Sequence, residues 1–143
     1  MPTLFTRIIE GELPGRFVWR DERCVAFLTI APIRPGHLLV VPRQEVDHWL
    51  DLQPDLVAHL SGVGHTLGKA LRHGFPSAKV GLMIAGLEVP HVHLHVLPID
   101  RLEDMDFANQ DQNARAEDLD AAAETVRASL RTLGLDGCAQ AIS

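Results

Sequence analysis

Several features that would place this chain outside the ordinary globular class are scarce or missing. It has only two cysteines, Cys24 and Cys138, far apart and not in a CxxC pattern. That count supports no disulfide framework, and both read as free thiols in a reducing compartment. No apolar run approaches the ~20 residues of a membrane span. The opening "MPTLFTRIIEGE" carries charges where a signal peptide needs an unbroken apolar stretch. A cytoplasmic protein that does not engage a membrane is therefore expected. Positive charge is also short: 13 Lys and Arg stand against 19 Asp and Glu, a formal charge of −6. Without a basic stripe, a nucleic-acid partner is not expected. A small anionic ligand remains compatible, because local backbone and imidazole donors can outweigh net charge. Repeats, low-complexity tracts and linkers are absent. A length of 143 residues suits one domain around one core.

The pattern along the chain predicts mixed elements. Residues 3–14 read as a short helix with Thr3 as its cap and Gly11 and Pro14 as its stop. Residues 16–30 read as two strands around the turn Asp21-Glu22-Arg23, and "HLLVVP" (37–42) as a central apolar strand. Between 51 and 73, Leu56, Val57, Leu60, Val63, Leu67, Ala70 and Leu71 keep a helical period. Residues 79–86 read as a strand, 91–98 as another that stops at Pro98, and 107–118 as a polar loop. The stretch 116–134 reads as a terminal helix, acidic at its start, with Arg131 near its end and Gly134 after it. Strands joined by short turns, with helices grouped apart, predict an α+β fold on a mainly antiparallel sheet.

The chemistry concentrates in "PHVHLHVLP", residues 90–98. In a strand, residues i, i+2 and i+4 share a face. His91, His93 and His95 would then line one face while Val92, Leu94 and Val96 pack the other. Three imidazoles are costly as core residues, since each needs polar partners. Two functional readings follow. Paired histidines on a strand can ligate zinc, with Asp100 or His37 as a further ligand. Alternatively, one neutral imidazole attacks phosphorus while its neighbours hold its tautomer and bind phosphate oxygens. A cupin-like metal enzyme would need a glutamate four or five residues after the His-x-His pair and a later histidine. Leu97 and Pro98 occupy the first places, and no histidine follows His95. "GVGHTLGKA" (62–70) is one residue short of a P-loop and has Ala70 where a magnesium-binding hydroxyl would stand. His48, His59, His65 and His73 show no partner pattern and read as surface residues.

"HVHLHV" fits His-φ-His-φ-His-φ-φ, φ being hydrophobic, and resembles the motif of the histidine triad (HIT) superfamily. The "FTRIIEGELPGRFV" start, "AFLTIAP", "PGHLLVVPR" and "AGLEVPH" are similar to the family in order and spacing. The likeness covers roughly residues 4–98, leaves 99–143 as an extension with its helix, and is closest to a HINT-like, actinobacterial-type subgroup. The resemblance implies an α+β HIT-like fold: a five-stranded, mainly antiparallel sheet, a long central helix and a C-terminal helix. It implies a homodimer with joined sheets, and a purine nucleotide or nucleotide conjugate as ligand. It also implies hydrolysis or transfer of a nucleotidyl group, from a phosphoramidate or related bond, with no cofactor. His93 would attack the α-phosphorus and become nucleotidylated. His95 would contact phosphate oxygens, His91 would orient His93 and His37 would complete the cluster. Leu4, Phe5, Ile8, Leu13, Ile30 and Leu39 match positions that clamp the base, with plain core packing as the competing role.

The sequence departs from the family in ways that bear on function. Many members bind a structural zinc through Cys-x-x-Cys and a later histidine; here those positions are Thr3, Thr6 and Glu45, so no structural metal is expected. The usual ribose-binding acid is Thr29. Leu87 and Glu88 replace a glutamine and a hydroxyl residue. A carboxylate beside bound phosphate is repulsive when ionised. Glu88 could instead supply a proton or favour a cationic amine leaving group. The competing function is a purine-nucleotide-binding module with little or no turnover.

Overall fold

The computed structural model describes residues 1–136. Cys138, expected as a free thiol, lies outside the described residues. Five strands form one sheet in the order β1-β2-β3-β5-β4: β1 (Phe17–Arg20), β2 (Cys24–Leu28), β3 (Leu38–Pro42), β4 (Lys79–Ile84) and β5 (Leu94–Ile99). Every neighbouring pair is antiparallel. The apolar strand expected at the centre is β3, which lies in the middle of that order.

Alternation along the strands gives the sheet two unequal faces. Cys24, Ala26, Leu28, Leu38, Val40, Val92, Leu94 and Val96 face the larger core. That core is closed by α2 (Pro54–Gly74) and α3 (Ala116–Thr132). Proline in the first turn starts α2 at no hydrogen-bond cost, and Leu56, Leu60, Val63, Leu67, Ala70 and Leu71 form its buried stripe. Gly134, with φ of 68°, ends α3 as its spacing predicts. Among the described residues, the opposite face is covered by the six-residue α1 (Leu4–Ile9) and by loops. There Phe5, Phe17, Val25, Phe27, Leu39 and Val41 form a second, smaller cluster. The histidines lie on this thinly covered face.

Three expectations need correction. β5 begins at Leu94, so His91 and His93 precede the strand. β3 pairs with β5 only through Leu94, His95 and Val96, and ends at Pro42. The His91 ring takes the Pro42 carbonyl at 2.8 Å, and the Val92 N–H goes to the Val46 carbonyl. The three residues stay extended enough for the faces to alternate without belonging to the ladder. Pro98 does not stop β5, which pairs with β4 as far as Ile99. Beyond Val96 no β3 residue faces it, so its missing N–H costs no bond on that side. Finally, His59 is not a free surface ring: its Nε2 lies 2.8 Å from Asp21. His73 Nδ1 is 3.1 Å from Ser129 Oγ, and His48 caps the Leu50 N–H. Among the described residues no helix is long and apolar enough to cross a membrane.

Candidate active site

His37 stands immediately before β3, delivered by Gly36. This glycine has φ of +90°, and a Cβ there would meet the Phe75 ring at 3.1 Å. Only glycine accepts both constraints. His37, His91, His93 and His95 are all buried. His95 pairs in register with Leu39, so its ring emerges on the Phe5 side of the sheet. The His93 ring lies 4.8 Å from His95 and 4.9 Å from Phe5, edge to face.

The hydrogen bonds fix where each proton sits. His37 Nδ1 accepts the Ile33 N–H at 3.1 Å, so the neutral His37 ring carries its proton on Nε2. That Nε2–H faces His95 Nδ1 at 3.0 Å, which must accept. His95 therefore carries its proton on Nε2, the one buried side-chain polar atom without a partner among the described residues. An N–H is left ready for an anionic oxygen. His93 works the opposite way. Its Nδ1–H donates to the His91 carbonyl at 2.8 Å, which leaves the Nε2 lone pair free. A bare lone pair thus stands beside a bare donor.

Burial holds all four rings neutral. It pushes His37 down to about 4, with the neighbouring His93 adding to the effect. It pushes His95 down to about 3, helped by His93 and His37. Burial also lowers His91 and His93, opposed at His93 by the His91 carbonyl and the Glu88 charge. An unfolded histidine titrates near 6.5. Below about that pH the unfolded chain binds protons that the folded rings refuse, so acid favours unfolding. Stability is expected to be full above pH 6.5 and to fall as pH drops toward about 4. Urea midpoints between pH 7.5 and 5 check this, and a midpoint that rises on acidification counts against it.

The rings open into a cleft of about 370 Å³. Leu4, Phe5, Ile8, Leu13, Thr29, Ile30, Leu39, Glu88, His93 and His95 all border it. The sequence-derived residues are thus brought together, with His37 and His91 behind the wall. Phe5 and Leu39 are also core residues of the smaller cluster, whereas Leu4 and Ile30 are exposed at the rim. The Thr29 hydroxyl accepts the Ala31 N–H at 3.2 Å and shapes the loop. Reading the sequence missed Gln110 and Gln112, which also line the cleft, and Phe107, whose ring lies 4.8 Å from His95. These residues come from the segment read as a polar loop. A lone phenylalanine there was the only available signal.

Neither the histidine-strand zinc reading nor the positions of the family's structural zinc offer a fitting donor set. Asp100, considered as a ligand, instead binds Arg34 at 2.9 Å and the Ala78 N–H at 2.8 Å. Glu88, His93 and His95 bring ligand atoms within 4.8 Å of one another. However, the neutral tautomer of His95 imposed by His37 presents a proton there and not a lone pair. The family's structural zinc positions, Thr3, Thr6 and Glu45, do converge. Glu45 Oε1 accepts the Thr3 N–H at 2.6 Å and the Thr6 hydroxyl at 2.7 Å. Two neutral hydroxyls already bound to their neighbours do not replace thiolates, so this set does not fit zinc.

Comparison with known proteins agrees with this geometry. The HIT domain family matches residues 10–102. An uncharacterized HIT-like protein of Methanocaldococcus jannaschii is 36% identical over 99 residues, covering 66% of this chain and 77% of that protein. One of Mycobacterium tuberculosis is 30% identical over 135 residues, covering 91% and 94%. The crystal structure of a Zn-bound histidine triad family protein from Mycobacterium smegmatis superimposes with a TM-score of 0.77. It is 28% identical and covers 92% of this chain and 94% of that one.

Proposed function

Since the chain belongs to the HIT family, we propose that it cleaves a nucleoside 5′-phosphoramidate or a related nucleotidyl bond through a covalent intermediate on His93. The observation that carries this reading is the pairing of the free His93 Nε2 lone pair with the unpartnered His95 Nε2–H at the floor of one cleft. The His93 lone pair attacks the α-phosphorus, a P–N bond to the ring forms, and the bond to the leaving group breaks. The leaving nitrogen takes up a proton from bulk water and departs as an amine. Charge gathering on the phosphoryl oxygen meets the His95 Nε2–H, a donor already oriented and desolvated. Water then attacks the same phosphorus, frees His93 and releases the nucleoside monophosphate. The cleft walls, Phe5, Ile8, Leu13, Ile30 and Leu39, hold the flat purine by apolar contact.

Glu88 is exposed at the cleft, close to His93 and His95. Ionised, it repels a phosphate but attracts a cationic amine. This favours amine leaving groups over anionic ones. The outer edge of β4 is unpaired, with Leu82 52% exposed on that strand, and is where a second copy would extend the sheet. A cytoplasmic location accords with Cys24, a free and buried thiol.

The test is release of AMP from adenosine 5′-phosphoramidate with EDTA present, run beside diadenosine polyphosphate. Turnover that ignores the chelator and favours the amide is expected, and Glu88→Ser should narrow that preference. Nucleotide binding without turnover would favour the binding-module reading. A preference unchanged in Glu88→Ser would remove the role given to that carboxylate.

A further inference from the structure

His91 does not line the cleft, yet it is tied at three points. Its Nε2 faces the Pro42 carbonyl, which can only accept, so Nε2 carries the proton. Nδ1 then holds a lone pair inside the protein and needs a donor. The Thr3 hydroxyl, 2.6 Å away, supplies it. The third tie is its own carbonyl, which receives His93 Nδ1–H. Thr3 is held in turn. Its Oγ1 accepts the Thr6 N–H at 3.1 Å as the cap of α1, and its backbone N–H goes to Glu45. The Thr6 hydroxyl goes to the same Glu45 oxygen, and of the two acceptors open to the Thr3 proton, His91 Nδ1 at 2.6 Å is much closer than Thr6 Oγ1 at 3.3 Å.

We propose that Thr3, braced by Glu45, is a positioning residue for the reaction: its hydroxyl locks His91 as the Nε2–H tautomer, and the locked ring holds the carbonyl that aims His93. The cluster does by hydrogen bonds what a bound metal could do by coordination, with no ion. It also fixes the first turn of α1, which carries Phe5 edge-on to His91 and His93 at 5.7 and 4.9 Å. The catalytic part of this inference rests on His93 as the attacking ring; the tautomer does not.

The experiment combines side-chain ¹⁵N NMR of the histidines with kinetics on adenosine 5′-phosphoramidate, for wild type, Thr3→Val, Thr3→Ser and Thr6→Val. In wild type His91 should be the Nε2–H tautomer and His93 the Nδ1–H tautomer. Thr3→Val should mix the His91 tautomers and lower kcat about tenfold, with KM changed by less than about twofold, as losing an orienting partner does. Thr3→Ser keeps the hydroxyl and should restore both readouts. Thr6→Val removes one of the two bonds to Glu45 but spares the bond to His91, and should cost kcat less than about threefold. An Nδ1–H tautomer of His91 in wild type overturns the proposal whatever the activity. So does a kcat lost equally in Thr3→Ser, where the hydroxyl is kept, or in Thr6→Val, where the bond to His91 is kept. An inactive wild type with the expected tautomers would sink the enzyme reading and leave the clamp standing.

Discussion

His93→Ala is expected to lower kcat for adenosine 5′-phosphoramidate on the order of 10³-fold or more, while KM changes little. The asymmetry follows from how the cleft divides its work. On the proposed reading, apolar walls and the His95 donor hold the substrate, and neither depends on the removed ring's chemistry. The variant should therefore still bind nucleotide. What it lacks is the only bare imidazole lone pair in the cleft: His95 is protonated toward substrate, and His91 and His37 spend both nitrogens inside the protein. No neighbour can inherit the attack. Folding should survive, because His93 makes a single hydrogen bond, to a backbone carbonyl, and its loss leaves space beside an open cleft. Quenched-flow kinetics with mass spectrometry checks the pair of claims. Wild type should show a nucleotidyl adduct on His93 during turnover, and the variant none. A folded variant retaining more than about a tenth of the activity would mean that water attacks directly.

The legible part of the site was the part written in a short period. Spacing by two put three rings on one face, and that held even though His91 and His93 lie outside β5. The alternation belongs to extended backbone, and a side-chain bond to Pro42 kept it extended after the ladder ended. The contributions that stayed hidden depend on chain return. Phe107, Gln110 and Gln112 reach the cleft because Asp104 fastens the segment after β5. Its Oδ2 accepts from the backbone at Asp100 and from Arg34, on the loop that leads into His37. A polar stretch without period gives no notice of such a fold-back. Asp21 was hidden in the same way. Against its burial, bonds from Trp19, the Arg23 and Cys24 backbone and His59 hold this carboxyl down to about 2. The His59 partner lies 38 positions away in sequence, where no spacing rule reaches.

His37→Ala is expected to lower kcat by about 10²-fold, less than removal of the attacking ring but far more than its distance from substrate suggests. His37 does not border the cleft; it acts through His95. With the Ile33 N–H on Nδ1, neutral His37 can only donate from Nε2, and this forces His95 to keep its own proton on the outward nitrogen. Without His37, nothing holds the His95 proton on Nε2, and the fraction of rings that carry it on Nδ1 rises. Nε2 then offers a lone pair to the phosphoryl oxygen, and attraction becomes repulsion. The same change leaves the Ile33 N–H unpartnered, so urea unfolding should show a loss of about 1–3 kcal/mol. That cost separates folding from catalysis, since kcat is read per folded molecule. ¹⁵N NMR should show His95 as Nε2–H in wild type and shifted toward Nδ1–H in the variant. If kcat stays within about threefold while the His95 tautomer shifts, the outward proton is not what stabilises the transition state, and another group must carry that charge.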